Sequence, residues 1–116
     1  QMAVVTSSND QKMAAVYRAR PEVRTMFDRI LTAEMFTRSK PAPDCFLLGM
    51  EVFGTTPDTT YVFEDSFNGL KAGMASEATV IGLATTNPRE SIAPLCHCVL
   101  DDFRGFTYDK MLQVHK

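Results

Sequence analysis

Glu64 and Asp65 break the apolar run Tyr61-Val62-Phe63 with two adjacent carboxylates, and Ser66, Asn68 and Gly69 follow at once. Neighbouring acids repel each other and lose hydration at the rim of a sheet, so the pair calls for a cation. Clustered hard oxygens suit Mg²⁺, which keeps several waters and takes only one or two protein carboxylates together with substrate phosphate. The plainer alternative is an acidic turn in which Asp65 shares helix capping with Ser66.

Two further positions could serve the same chemistry. The run Ala3-Val4-Val5 ends in Thr6-Ser7-Ser8, where hydroxyls and the N–H groups opening a helix would suit a phosphate. Capping by Ser8 or Asn9 would need no ligand. Lys40 is held extended by Pro41, and its long stem could carry a point charge back across a sheet edge to a phosphate and an acidic nucleophile. A solvated loop lysine is the competing reading. Each alternative is reasonable alone, but hydroxyl, lysine and acid pair at one edge of one sheet are much harder to assign to coincidence.

The elements that must position these residues follow from periodicity. Met2 to Val5 reads as a strand, and Met13, Val16 and Tyr17 mark a helix from about 11 to 19. A short helical piece follows Pro21, with Val23, Met26 and Phe27 at helical spacing, and Arg29 to Ala33 reads as a strand. After the 39–43 loop, Phe46, Leu47, Met50 and Phe53 form a helical stripe that Gly54 can stop. Thr60 to Phe63 is a strand, and a helix runs from about Phe67 to Ser76 with Phe67, Leu70 and Met74 inward. A strand from Thr79 to Leu83, a helix near 88–94 and a strand from Cys98 to Leu100 complete the pattern. Met26, Met50 and Met74 are expected as core filler. Strands alternating with helices of about ten residues imply an α/β class, a doubly wound parallel sheet. In such sheets ligands bind beyond the carboxyl ends of the strands, where the three candidate groups lie.

Composition narrows the partners. The 116 residues carry a net charge of −2 and are 45% hydrophobic, enough to build a core. Lys and Arg are scattered instead of striped, which argues against nucleic acid, and no apolar run has the roughly 18 residues of a membrane helix. A small molecule or a protein is the expected partner. Cys45, Cys96 and Cys98 are an odd set without CxxC spacing, as in reduced cytoplasmic proteins. Cys96-His97-Cys98 looks like half a zinc site, but strand alternation points His97 away from both thiols and no second ligand pair follows.

Taken together, "VVTSS" (Val4 to Ser8), "SKPAPDCF" (Ser39 to Phe46) and "VFEDSFNGLKAG" (Val62 to Gly73) resemble the second, third and fourth motifs of the haloacid dehalogenase-like hydrolases, in the subgroup of small phosphatases and β-phosphoglucomutase. The order fits, as do the spacings of 34 residues from Thr6 to Lys40 and 25 from Lys40 to Asp65. The resemblance covers nearly the whole chain. It implies a Rossmann-like core in which Thr6, with the backbone at Ser7, binds the transferring phosphoryl group. It also implies that Lys40 steadies nucleophile and phosphate, and that Asp65 holds Mg²⁺ with Glu64, directly or through water.

The family's first motif, a DxD at the end of the central strand, supplies the nucleophilic aspartate. Only Gln1-Met2 precedes Ala3, so residues 1–116 are expected to be the C-terminal part of one catalytic core domain, without its first strand and cap. Asp10, on the helix side of its loop, is not a substitute. Loss of that strand should leave two edges facing a gap, to be closed up, covered by an upstream fragment or paired with a second chain. The expected activity is Mg²⁺-dependent hydrolysis of a small phosphorylated metabolite through an aspartyl phosphate. Mutase-type transfer between sugar positions and a non-catalytic binding module are the alternatives. The Thr85-Thr86-Asn87-Pro88 loop leans toward phosphatases.

Overall fold

A computed structural model describes residues 1–116. The strands are β1 (Ala3–Val5), β2 (Arg29–Leu31), β3 (Tyr61–Glu64), β4 (Thr79–Leu83) and β5 (Cys98–Leu100). The helices are α1 (Asp10–Ala19), α2 (Val23–Met26), α3 (Asp44–Phe53), α4 (Phe67–Ala75), α5 (Arg89–Ile92) and α6 (Tyr108–Leu112). All strand pairs are parallel, as alternating strands and helices require, and the α/β class stands.

The sheet comes in two parts. β1 pairs with β2, while β3, β4 and β5 form a second sheet with β4 in the middle. No strand pairs with the remaining edges of β1 and β3. Helix α3 packs on both β1 and α4 and so ties the two parts together.

Register explains the core. Val62 faces Val80 across β3 and β4, and both join Cys45, Phe46 and Met50 of α3, Leu70 and Ala72 of α4 and Ile92 of α5 in one buried cluster. The next register pair, Phe63 with Ile81, points to the opposite face. There Phe63 meets the rings of Phe103 and Phe106 at 5.6 and 6.0 Å. The segment after β5 is thus a lid over the second face, and it ends in α6, capped by the Thr107 hydroxyl. The sequence reading ended at Leu100 because this segment has no apolar repeat long enough to declare itself.

Other expectations need correction. In α4 the inward residues are Gly69, Leu70, Ala72 and Gly73, whereas Phe67 and Met74 are 41% and 39% exposed. Small residues let this helix lie flat on the sheet and turn the bulky ones outward. Met50 is core, but Met26 is 57% exposed on the short α2. β2 stops at Leu31 instead of Ala33, because a 3-10 turn (Ala33–Met35) follows at once; Thr32 between them is still extended, and its buried hydroxyl donates to Asp10 Oδ1 at 2.7 Å. Gly54 ends α3 in the left-handed conformation as anticipated, φ 66°.

Candidate active site

The carboxyl ends of β1 and β3 lie at the same edge of the molecule, and one side chain joins them. Lys40 Nζ donates to the Val5 carbonyl at the end of β1 (3.3 Å) and to Glu64 Oε2 at the end of β3 (3.1 Å). Its ammonium also sits 5.2 Å from the centre of the Phe46 ring, a cation–π contact from α3. Both partners of the ion pair are largely buried, their side chains 13% and 12% exposed. The Lys40–Pro41 peptide is cis.

Glu64 is fully engaged. While Oε2 accepts from Lys40, Oε1 accepts from the N–H groups of Asp65 and Ser66 and from the Ser66 hydroxyl. The Ser66 hydroxyl in turn caps α4 by accepting from Gly69 N–H at 3.0 Å. Gly69 is the one residue that leaves room for this arrangement, since a Cβ there would fall on Cγ, Cδ and Oε2 of Glu64.

Asp65 points elsewhere. Its Oδ2 accepts from the Thr86 hydroxyl at 2.5 Å, and its main-chain carbonyl accepts from Asn87 Nδ2 at 3.2 Å. Both donors lie in the loop between β4 and α5. No donor of the chain reaches Oδ1. The Thr86 hydrogen bond holds the Asp65 carboxyl below the usual carboxylate range against partial burial, which acts the other way, and Lys40 adds a smaller pull downward. Asp65 is therefore a carboxylate with one oxygen tethered and one available.

At β1 the Thr6 hydroxyl accepts from Ser8 N–H at 3.1 Å, which curls the turn. Asn9 caps α1 by accepting from Lys12 N–H at 2.8 Å, so neither Ser7 nor Ser8 is needed for capping. Ser7 is exposed and its N–H makes no hydrogen bond within the chain. Asp10 accepts from Thr32, and Glu34 accepts from Asp10 N–H at the start of α1.

The structure thus brings Thr6, Ser7, Lys40, Glu64 and Asp65 to one edge, with Lys40 as the physical link. Nowhere do three or more His, Cys, Asp or Glu side chains assemble as a metal cluster. Among the acids of this edge, Asp65 is the one with a hard oxygen to offer, which fits Mg²⁺ as one ligand of a set that substrate phosphate and water complete. The Cys96-His97-Cys98 group stays apart. His97 Nδ1 accepts from Val80 N–H, the Cys96 thiol donates to the Ile92 carbonyl, and all three cysteines are unpaired. Sequence reasoning missed the tethers Thr86 and Asn87, because nothing in a loop sequence says which strand end it will touch. No helix is long and apolar enough to cross a membrane.

A family model described as haloacid dehalogenase-like hydrolase matches residues 1–77. The beta-phosphoglucomutase of Mycobacterium tuberculosis is 38% identical over 96 residues, covering 81% of this chain and 37% of that protein. Fructose-1-phosphate phosphatase YqaB of Escherichia coli is 37% identical over 75 residues, covering 65% of this chain and 39% of that protein. A solved HAD hydrolase of family IA, variant 3, from Entamoeba histolytica superposes with a TM-score of 0.85 at 24% identity, covering 95% of this chain and 51% of that one. The chain spans well under half the length of these curated relatives.

Proposed function

The chain belongs to the haloacid dehalogenase-like hydrolase family, and from that premise we propose that residues 1–116 form the C-terminal part of the Rossmann-like core of a Mg²⁺-dependent phosphatase. Its substrate is a small phosphorylated metabolite, a sugar phosphate or similar. The observation that carries the reading is Lys40 bridging Val5 and Glu64, which sets a cation between the Thr6 hydroxyl turn and the Asp65 carboxylate.

Phosphoryl transfer needs positioning and charge stabilisation more than covalent chemistry from the protein. In this role the Thr6 hydroxyl and the Ser7 N–H bind phosphoryl oxygens. Lys40, anchored by Glu64, places its fixed positive charge beside the same oxygens and the attacking group. Asp65 holds Mg²⁺, and Glu64 acts on the site through Lys40. The ion, when bound, neutralises charge developing on the phosphoryl oxygens. The attacking carboxylate of an aspartyl-phosphate route is proposed to lie outside residues 1–116, since Glu64 is committed to Lys40 and Asp10 to Thr32. The edges of β1 and β3 then take a strand from elsewhere in the protein or from a second copy. A reducing compartment such as the cytoplasm suits the unpaired cysteines.

A second reading, transfer between sugar positions, is favoured by the similarity to a beta-phosphoglucomutase. One experiment separates the two. The full-length protein carrying this chain, given a panel of sugar phosphates, should release inorganic phosphate as the main product. Isomerised sugar phosphate without phosphate release would support the mutase, and neither product from any substrate would leave the non-catalytic module standing.

A further inference from the structure

Asp65 is restrained from two sides by a single loop. The Thr86 hydroxyl takes carboxylate oxygen Oδ2, and Asn87 Nδ2 holds the main-chain carbonyl of the same residue. The loop is itself anchored, because Ala84 N–H at its base donates to the Leu100 carbonyl of β5 at 2.8 Å. The Thr86 hydroxyl thus restrains how the Asp65 carboxylate turns, and Oδ1 is left as the oxygen without a donor from the chain.

That restraint matters for the choice of ion. Mg²⁺ demands a near-octahedral set of six single oxygens, whereas Ca²⁺ accepts six to eight ligands and readily takes both oxygens of one carboxylate. A hydroxyl that donates to one oxygen draws charge from it and fixes the carboxylate's orientation, which favours ligation through the other oxygen alone. Thr86 is exposed and lies 21 residues from Asp65 in the sequence.

We infer that Thr86 is a specificity-determining positioning residue, which holds Asp65 as a one-oxygen ligand and so favours Mg²⁺ over Ca²⁺. This rests on the proposal that Asp65 holds the metal, and the test separates the two. Mg²⁺ and Ca²⁺ affinities are measured by calorimetry on the full-length protein, without substrate turnover, for wild type, Thr86→Val, Thr86→Ser and Asp65→Asn. Thr86→Val keeps the shape of the side chain and removes the donor. It should shift the Mg²⁺-to-Ca²⁺ affinity ratio toward Ca²⁺ by about tenfold, the lower end of what outer-shell changes do to metal sites. Thr86→Ser should restore the wild-type ratio. An unchanged ratio in Thr86→Val, or the same shift in Thr86→Ser, would overturn the role of the hydroxyl while leaving the metal site in place. Undiminished Mg²⁺ binding by Asp65→Asn would overturn the metal assignment and the inference with it.

Discussion

Lys40→Ala in the full-length protein is expected to cut phosphate release about a hundredfold at saturating Mg²⁺, the loss that follows removal of one fixed donor from a site of developing negative charge. Stability should fall as well. Glu64 would keep a largely buried carboxylate facing no cation, and breaking such a pair from one side costs roughly 3–5 kcal/mol. The two effects can be separated. Lys40→Met combined with Glu64→Gln removes both charges, so thermal stability should largely return while activity does not. If the double variant recovers activity too, Lys40 is a structural tie between β1 and β3 and nothing more.

Gly69→Ala should be the most damaging small change in the chain. Alanine is the better helix former by about 1 kcal/mol, and α4 would welcome it on propensity alone. Here, however, the added methyl falls on the Glu64 side chain, which cannot step aside without giving up Lys40 and the three donors held by Oε1. Overpacking of this kind costs roughly 1–3 kcal/mol, and the displaced carboxylate also releases Lys40. Lower thermal stability together with activity reduced toward that of Lys40→Ala is the expected outcome. A variant with wild-type melting and turnover would show that Glu64 is not held as the geometry indicates.

How much of this was legible in the sequence depends on what each residue answers to. Thr6, Glu64 and Asp65 stand at or just beyond the carboxyl ends of parallel strands, so their common edge could be read from order and spacing, whereas Lys40 reaches that edge from the loop before α3, nine residues past the end of β2. The Ser66 cap was likewise local, whereas the reason for Gly69, room for the Glu64 side chain, was not. Nor was the division of labour between Glu64 and Asp65. Two adjacent acids look equivalent in a sequence, and they differ only because Lys40 arrives on one side and Thr86 on the other. Helix faces failed where small residues set the contact. The α4 surface that lies on the sheet holds Leu70, as its spacing implied, but is otherwise built from the small Gly69, Ala72 and Gly73, while Phe67 and Met74 attract attention and face outward. The lid formed by Phe103 and Phe106 was hidden for a related reason, since its partner, Phe63, lies forty residues away on another element.

The most direct test of the proposed Mg²⁺-assisted phosphate site is a Mg²⁺ titration of phosphate release by the full-length protein, wild type against Asp65→Asn. Wild type should be inactive in chelator and recover as Mg²⁺ is restored, and Asp65→Asn should need about tenfold or more Mg²⁺ to reach half its maximum rate. Activity that survives the chelator, or superimposable Mg²⁺ curves for the two proteins, would contradict the assignment of this edge as a metal-assisted phosphate site.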